Sequence, residues 1–247
     1  MSISIILPTY NEKGNIIQLI RNIIRTVKKI TNNFRIYVVD DNSPDKTGEI
    51  CKSHFATNNN VIVYIRKKRG FASAILYGIM KSKEDVIVVM DTDFSHNPKL
   101  IPMLVSKLKK FDMVLASRYV KNGGGENKKR YWMSKIYNLY LRYILRINIS
   151  DFLFGFFCVK RKFLLKNKLL NHSIFTGFGD YFIRLIYYIN KSGGMLVEVP
   201  AFYKARIYGV SKSDPKKVII TYTLTSLQLL MKDLFNLNKI KMTSNYL

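Results

Sequence analysis

Short apolar runs alternate with segments of helical periodicity through the first half of the chain. Runs rich in β-branched residues predict strands, and segments that repeat apolar residues every three or four positions predict helices. The predicted strands cover residues 4–7, 35–39, 61–65, 86–90 and 113–117, and the predicted helices cover residues 14–30, 72–81 and 98–110. Strands this apolar must be covered on both faces, so the pattern predicts an α/β fold with a mainly parallel, Rossmann-like sheet flanked by helices.

The pattern changes after about residue 121. A glycine-rich, basic stretch at residues 123–130 predicts a flexible loop. Further helices are predicted for residues 136–147, from Phe178 to about Asn190 and for 215–234, with a strand at 195–199. We expect one domain over residues 1–212, followed by a C-terminal amphipathic helix and tail at 213–247.

The charge of the chain indicates an anionic partner. Lys and Arg outnumber Asp and Glu by 41 to 16, which leaves a net charge of +25. Such a field attracts nucleic acid, anionic lipid headgroups or phosphorylated substrates, and charge alone does not choose among them. Cys51 and Cys158 belong to no metal-binding or redox spacing, which favours reduced cysteines of a cytoplasmic protein.

The sequence predicts neither a signal peptide nor a membrane-spanning segment. The first residues run directly into a predicted strand, so we expect no leader before the fold. The longest uncharged stretch near the C-terminus, residues 218–231, is shorter than the roughly 20 residues that a spanning helix needs. We therefore expect a cytoplasmic protein in which any membrane contact is peripheral.

Two carboxylates follow the predicted strand at residues 86–90. Asp91 and Asp93, separated by Thr92, would repel each other by about 4 kcal/mol at about 4 Å and an effective dielectric constant of about 20. A divalent cation removes this repulsion and can bridge to a diphosphate, since Mg²⁺ and Mn²⁺ prefer hard oxygen ligands. The alternative is a solvated turn in which Asp93 caps the next helix.

Other acidic and aromatic residues stand at neighbouring strand ends. Asp40 and Asp41 follow the second predicted strand, and residues 8–12, with Tyr10 and Glu12, follow the first. Each group alone fits turn chemistry. Because ligands of parallel sheets bind beyond the carboxyl ends of the strands, the three groups together predict one cleft that recognises sugar or base groups, or holds metal.

These motifs occur in the order found in family 2 glycosyltransferases, and the chain resembles most closely the polyprenol-phosphate (dolichol-phosphate) mannose synthases. The resemblance covers about residues 2–232 and implies a GT-A-type fold with a nucleotide-sugar half at 1–120 and an acceptor half at 121–212. It rests on residues 8–12, 39–45, 66–74, 91–98 and 117–124, on Arg130 with Ser134, on residues 150–151, and on residues 206–212.

The resemblance implies a role for each matching residue. Pro8, Tyr10, Glu12, Val39, Asp41, Asp91 and Thr92 would bind the donor nucleotide sugar. Asp91 and Asp93 would bind a divalent metal, Mg²⁺ or Mn²⁺, with Ser95 as a further ligand. Arg118 would contact the donor diphosphate or the acceptor phosphate. The residues that carry the transfer would be Asp93, Arg118, Arg130, Ser134, Arg206 and Lys212.

The same resemblance implies inverting transfer of mannose from GDP-mannose to a polyprenyl phosphate, with residues 95–98 matching the mannose branch. A phosphate monoester has a second pKa near 6 and is already an anionic nucleophile at neutral pH, so it needs no strong general base. The basic segments and the apolar face of the last helix predict contact with the cytoplasmic face of a membrane. A separate membrane-anchor subunit is a partner that this role allows.

Three other functions were weighed against this one. A family 2 transferase that adds sugar to a hydroxyl of a bacterial glycan would need a carboxylate base, for which Asp151 and Asp180 are candidates. A nucleic-acid-binding protein fits the charge, but the chain has no matching signature, so we expect no nucleic-acid partner. A hydride-transferring Rossmann enzyme would carry a GxGxxG motif after the first strand, and this chain does not.

Overall fold

The computed structural model describes residues 1–204 and 214–244, the side chains of 215 and 236–244 excepted. The strands are β1 (Ile3–Thr9), β2 (Phe34–Asp40), β3 (Val61–Ile65), β4 (Val86–Val89), β5 (Met113–Ser117), β6 (Gly124–Gly125), β7 (Phe157–Lys160), β8 (Leu196–Pro200) and β9 (Phe202–Tyr203). The helices are α1 (Ile16–Val27), α2 (Thr47–His54), α3 (Phe71–Lys81), α4 (Ile101–Lys107), α5 (Lys128–Leu145), α6 (Arg161–Lys166), α7 (Asp180–Lys191) and α8 (Pro215–Ser244).

Seven strands form one sheet in the order β3-β2-β1-β4-β7-β5-β8. Neighbours are parallel except at β7, which is antiparallel to both β4 and β5. The carboxyl ends of β1, β2 and β4 therefore meet at one edge of the sheet. The predicted mainly parallel sheet flanked by helices is confirmed, whereas the antiparallel strand in its middle was not predicted.

The observed elements agree best with prediction in the first half of the chain. All five predicted strands are present there, and β3 and β5 have the predicted bounds. The predicted loop at residues 123–130 was wrong in two parts, because β6 forms at Gly124–Gly125 and α5 begins at Lys128. Asn127 caps this helix, since its side-chain oxygen accepts a hydrogen bond from the backbone N–H of Arg130 at 2.9 Å. Helices α2 and α6 were not predicted.

The sheet is covered on both faces, as its apolar strands require. Along β1, Ile5 and Leu7 face a core layer with α1, α2 and α4, whereas Ile6 faces the layer with α3, α5, α7 and α8. Helix α3 packs closely on the sheet at Gly78, where an added Cβ would lie 2.6 Å from the Ile6 Cγ2. This close packing holds the beginning of α3 near the ends of β1 and β2.

Helix α8 lies along α5 and α7. The hydroxyl of Tyr137 in α5 is 2.9 Å from the Thr223 Oγ1, and the hydroxyl of Tyr187 in α7 donates to the Asp233 Oδ1 at 2.5 Å. Large apolar side chains of α8 are exposed between and beyond these contacts. They are Ile219, Ile220, Leu224, Leu227, Met231, Leu234 and Phe235.

One segment among the described residues has the length and composition of a membrane-crossing helix. Lys216–Phe235 is 20 residues long, and its most apolar 18-residue window has a mean hydropathy of 1.2, with 22% of that window buried. The sequence prediction, based on residues 218–231, therefore underestimated its apolar length. A single such helix is weak evidence for a span, since core helices of soluble proteins meet the same criteria. The predicted division of the chain into a nucleotide-sugar half, an acceptor half and a C-terminal extension, at residues 120 and 212, stays a prediction.

Candidate active site

One cavity of about 240 Å³ opens at the sheet edge where β1, β2 and β4 end. It brings together the strand-end residues singled out from the sequence, including Tyr10, Asp41 and Asp93. The predicted residues in its wall are Pro8, Tyr10, Glu12, Asp41, Asp91, Thr92 and Asp93, and the others are Thr9, Arg69, Gly70, Phe71, Ala74 and Phe178. The cleft predicted from strand order therefore exists as a single space.

Hydrogen bonds between the first two strand-end loops hold Tyr10 and Glu12 at this cavity. Asn11 takes a left-handed backbone conformation, with φ of 55°, and its N–H donates to the Ser43 Oγ at 3.0 Å. The next N–H, of Glu12, donates to the Thr47 Oγ1 at 2.9 Å. The loop after β1 is thus bonded to the loop after β2.

The two carboxylates after β2 have different surroundings. Asp40 is fully buried, and its carboxylate accepts hydrogen bonds from the N–H and hydroxyl of Ser43. Burial raises the pKa of Asp40 above its ordinary value. Asp41 faces the cavity, where the Arg66 Nε and the Gly70 N–H each donate to it at 2.8 Å. Asp40 therefore stabilises the turn, and Asp41 is the carboxylate presented to a ligand.

The Asp91–Asp93 loop is held in place by a hydrogen bond to the buried side chain of His96. The His96 Nδ1 accepts the Asp91 N–H at 2.9 Å, so the Nε2 carries the proton that bonds to the Phe154 carbonyl oxygen at 2.9 Å. Burial lowers the pKa of His96 to about 4, which keeps the ring neutral. Asp93 is almost fully buried, and its Oδ1 accepts the Ser95 N–H at 3.0 Å. These bonds thus hold the backbone at Asp91 and one carboxylate oxygen of Asp93.

These carboxylates fit a divalent cation that arrives with a nucleotide. Both Asp91 and Asp93 line the cavity, and Asp91 is 36% exposed. Among the described residues, no group of three or more His, Cys, Asp or Glu side chains is placed to hold a metal ion. Mg²⁺ is commonly held by one or two carboxylates together with substrate phosphates and water. Two carboxylates of the protein and a diphosphate of the ligand would therefore suffice to hold one divalent cation.

Arg118 forms a buried ion pair with Asp151. Its Nε and Nη2 each donate to the Asp151 carboxylate at 2.8 Å, and its backbone N–H donates to the same group at 3.0 Å. Burial lowers the pKa of Arg118, but the charge and hydrogen bonds of Asp151 outweigh burial and hold it above the ordinary value. The predicted phosphate contact of Arg118 stays a prediction, because Asp151 occupies one edge of the guanidinium.

The other predicted acceptor residues lie among tyrosines near Arg118. The Ser134 Oγ is 2.5 Å from the Tyr119 hydroxyl, and the Arg130 guanidinium lies 5.6 Å from the ring centre of Tyr203. The Arg118 guanidinium is 5.0 Å from the Tyr119 ring. Arg118, Arg130 and Ser134 are not among the cavity-lining residues. Their contacts with Tyr119 and Tyr203 make them a tyrosine-rich group outside the cavity. Arg206 and Lys212 lie outside the described residues.

Two further predicted residues do not line the cavity. Val39 is fully buried in β2, and its Cγ2 would lie 3.1 Å from a Cβ added at Gly78, so it packs under α3. Ser95 is 2% exposed, and its described contribution is the backbone bond to Asp93. Their roles in binding donor and metal stay predictions.

Six cavity residues had no role assigned from the sequence, and three of them, Arg69, Phe71 and Phe178, have large side chains. The Arg69 guanidinium lies 4.3 Å from the ring centre of Tyr10, which gives a cation–π contact at the cavity wall. Phe71 begins α3, and Phe178 precedes α7. Arg69 stands in the basic run at 66–69, which was a usable signal. Phe178 follows no strand, so only the folded chain brings it here.

Comparison with known proteins gives a family and several curated relatives. The family model described as Glycosyl transferase family 2 matches residues 4–167. Dolichol-phosphate mannosyltransferase of Pyrococcus furiosus is 33% identical over 225 residues, which cover 88% of this chain and 61% of that protein. Polyprenol monophosphomannose synthase of Mycolicibacterium smegmatis is 33% identical over 223 residues, with 87% and 82% covered. This chain therefore spans only part of the length of the first relative.

More distant matches extend the comparison. Undecaprenyl-phosphate 4-deoxy-4-formamido-L-arabinose transferase of Pseudomonas fluorescens is 26% identical over 220 residues, with 88% of this chain and 62% of that protein covered. Among solved structures, glucosyl-3-phosphoglycerate synthase from Mycobacterium tuberculosis with Mn²⁺, UDP and phosphoglyceric acid aligns with a TM-score of 0.64 at 17% identity, covering 94% of this chain and 78% of that one. This likeness establishes the GT-A-like fold that the sequence predicted.

Proposed function

Because this chain belongs to glycosyl transferase family 2, we propose that it transfers mannose from GDP-mannose to a polyprenyl phosphate at the surface of a membrane. The observation that carries the proposal is the single cavity in which Tyr10, Asp41, Asp91 and Asp93 meet. Curated relatives named for mannosyl transfer to dolichol or polyprenol phosphate, at 33% identity, support the choice of substrates.

On this proposal the cavity holds the donor. Tyr10 and Asp41 bind the nucleoside, and Asp91 and Asp93 bind Mg²⁺ or Mn²⁺, which would neutralise charge on the leaving diphosphate. Asp41 is held by Arg66 and Gly70, so its carboxylate needs little reorganisation when a hydroxyl or N–H of the ligand approaches. The protein thus contributes orientation and electrostatic stabilisation near the donor.

The acceptor is attributed to the tyrosine-rich group around Arg118, Arg130 and Ser134. An acceptor phosphate brings its own negative oxygen and requires cations that offset repulsion from the diphosphate. A hydroxyl acceptor would instead need a general base within hydrogen-bond reach. Asp151 is fully buried against Arg118, and Asp180 is buried against Arg184. Both candidate bases are therefore engaged in ion pairs, which favours the phosphate acceptor.

A transfer assay with paired acceptors tests this function. With Mn²⁺ and labelled GDP-mannose, we expect product from a short polyprenyl phosphate and at least roughly a hundredfold less from the matching free polyprenol, because the alcohol lacks the anionic oxygen. UDP-glucose serves as the alternative donor. Equal transfer to the free alcohol would contradict the phosphate acceptor, and transfer from UDP-glucose alone would contradict GDP-mannose.

On this proposal the outer faces of α5 and α8 form the surface that contacts the membrane. Exposed apolar side chains of α5, Trp132, Ile136 and Leu139 among them, lie on the same side of the sheet as those of α8. One groove is lined by Leu139, Arg142 and Arg146 of the α5 region and by Leu230 of α8, so the two faces are continuous. Arginines bordering an apolar surface fit an anionic bilayer.

Contact along the bilayer fits α8 better than crossing it. Its side-chain bonds to α5 and α7 run from Thr223 to Asp233, and the Tyr137 hydroxyl also reaches the Ile219 carbonyl. At about 1.5 Å per residue, the helix is joined to the domain over roughly 20 Å. A helix attached along this length would expose one face to lipid, which supports peripheral contact.

Sedimentation with anionic vesicles tests this surface. At low salt we expect the protein to sediment, and we expect Leu224→Glu with Leu227→Glu to lower the partition coefficient by about tenfold or more, because each leucine contributes about 1.5–3 kcal/mol when buried. The matched control is Met103→Glu in α4, an exposed apolar residue on the other side of the sheet. An equal loss in both variants, or no sedimentation of the unaltered protein, would contradict the assignment.

A further inference from the structure

We propose that Phe178 contacts the bound donor and that α8 sets its position from outside the cavity, through Arg184 and Tyr222. This inference rests on the proposed function, because it takes the cavity as the donor site. It adds a residue from the second half of the chain to a wall otherwise built from the strand ends and the start of α3.

Phe178 presents an aromatic face to the cavity. Its ring centre lies 5.0 Å from that of Phe71, with 40° between the planes, and the side chain is 43% exposed. Tyr10, the cavity aromatic that follows β1, is covered by the Arg69 guanidinium, 4.3 Å from its ring centre. An aromatic face beside polar groups is typical of small-molecule sites, where it stacks on a base or on the apolar side of a sugar.

The backbone on either side of Phe178 is tightly constrained. Gly177 has φ of +77°, in the left-handed region, and a Cβ added there would lie 2.4 Å from the Asp180 Oδ1. That same oxygen accepts the Phe178 N–H at 2.8 Å. The beginning of α7 therefore fixes the direction from which the ring enters the cavity.

One buried guanidinium joins this loop to α8. The Arg184 side chain donates to the Ile174 and Thr176 carbonyl oxygens and to the Asp180 Oδ2. Its Nη1 donates to the Thr225 Oγ1 of α8 at 3.1 Å. The loop that carries Phe178 and the helix that lies outside it are thus parts of one hydrogen-bonded unit.

A second contact from α8 lies directly against the loop. Tyr222 is 8% exposed, and its hydroxyl oxygen would lie 1.8 Å from a Cβ added at Gly179. Any larger residue at 179 must therefore displace the loop, the helix or the Tyr222 side chain. No described residue of α8 lines the cavity, and this contact and the Arg184 bond join α8 to the loop that carries Phe178.

Calorimetric titration with Mn²⁺ and GDP-mannose tests the contact of Phe178. We expect Phe178→Ala to raise Kd by roughly tenfold, within the range for loss of an aromatic stacking partner, and Phe178→Tyr to stay within about twofold of the unaltered chain. Leu165→Ala, a change at an exposed apolar residue of α6, is the control. An unchanged Kd in Phe178→Ala would overturn the inference alone, whereas no binding by the unaltered chain would overturn the proposed function as well.

Substitution at Gly179 tests positioning by α8. Gly179→Ala changes no cavity residue, yet we expect it to raise Kd by about fivefold or more, because it would displace the loop that carries Phe178. Adding Tyr222→Phe removes the hydroxyl that the new methyl group would meet and should restore part of the affinity. Thr225→Val removes the one hydrogen bond from Arg184 to α8 and leaves the other bonds of Arg184 intact. It should therefore raise Kd by only about twofold. Unchanged affinity in Gly179→Ala and Thr225→Val, with both proteins folded by circular dichroism, would overturn positioning by α8.

Discussion

Asp151→Asn is expected to lower the free energy of unfolding by about 3–5 kcal/mol. The substitution keeps the size of the side chain but removes the charge that balances Arg118. Arg118 is 9% exposed and Asp151 is fully buried, so water does not take over the role of the lost carboxylate. Denaturant unfolding monitored by circular dichroism should show a lower midpoint with an unchanged slope.

Two control variants test whether the loss of unfolding free energy in Asp151→Asn is specific to this buried pair, or whether the loss of any ion pair has the same effect. Lys191→Ala breaks a pair with Asp233 whose members are 47% and 25% exposed, and it should cost less than about 1 kcal/mol. Arg118→Met combined with Asp151→Leu removes both charges and should be less destabilising than Asp151→Asn. If Asp151→Asn unfolded at the same denaturant concentration as the unaltered protein, the pair would have no structural importance.

Asp93→Asn is expected to reduce kcat/KM for mannosyl transfer by about 10²- to 10³-fold and to abolish its dependence on Mn²⁺. A bound cation is worth several kcal/mol of charge stabilisation on the leaving diphosphate, and each 1.36 kcal/mol corresponds to tenfold in rate. Asparagine keeps an oxygen that can accept the Ser95 N–H, so the loop geometry is preserved while the charge is lost. The measurement is initial rate against Mn²⁺ concentration.

Asp93→Ala provides the comparison, because it removes both the charge and the acceptor for Ser95. If Asp93 acts through metal, Asp93→Asn and Asp93→Ala should be similarly inactive, and only Asp93→Ala should also lose thermal stability. If Asp93→Asn retained metal-dependent transfer, Asp93 would serve only as a cap for the loop, which is the alternative that the sequence left open.

The fold was predictable where the hydrophobic pattern has one interpretation. Parallel strands buried on both faces are continuous apolar runs, and β3 and β5 were located to the residue. Strand β7 was missed because it lies in a longer aromatic stretch, and short apolar runs do not distinguish strand from helix. Helix α2 is only eight residues long and buries few side chains, so it offered little periodicity.

The site was predictable as far as it follows from strand order. Tyr10, Asp41 and Asp93 end neighbouring strands, and a parallel sheet brings such residues to one edge. The resemblance assigned Asp41 and not Asp40 to the donor, and the bonds of Asp40 to Ser43 and of Asp41 to Arg66 give the physical reason. Phe178 reaches the cavity through the packing of α7 and α8, for which no local pattern exists.

The place of β7 in the sheet has a consequence for synthesis of the chain. Among the described residues, β5 pairs only with β7 and β8, both of which lie later in the sequence. A nascent chain that has emerged only to about residue 120 can pair β1 to β4 but offers β5 no partner. At roughly 5–20 residues per second, this strand waits seconds for residues 157–160. Residues 1–120, the half that would bind the nucleotide, therefore do not fold as a unit. Until β7 is made, the edges of β5 are unpaired, and the nascent chain would need protection from aggregation there.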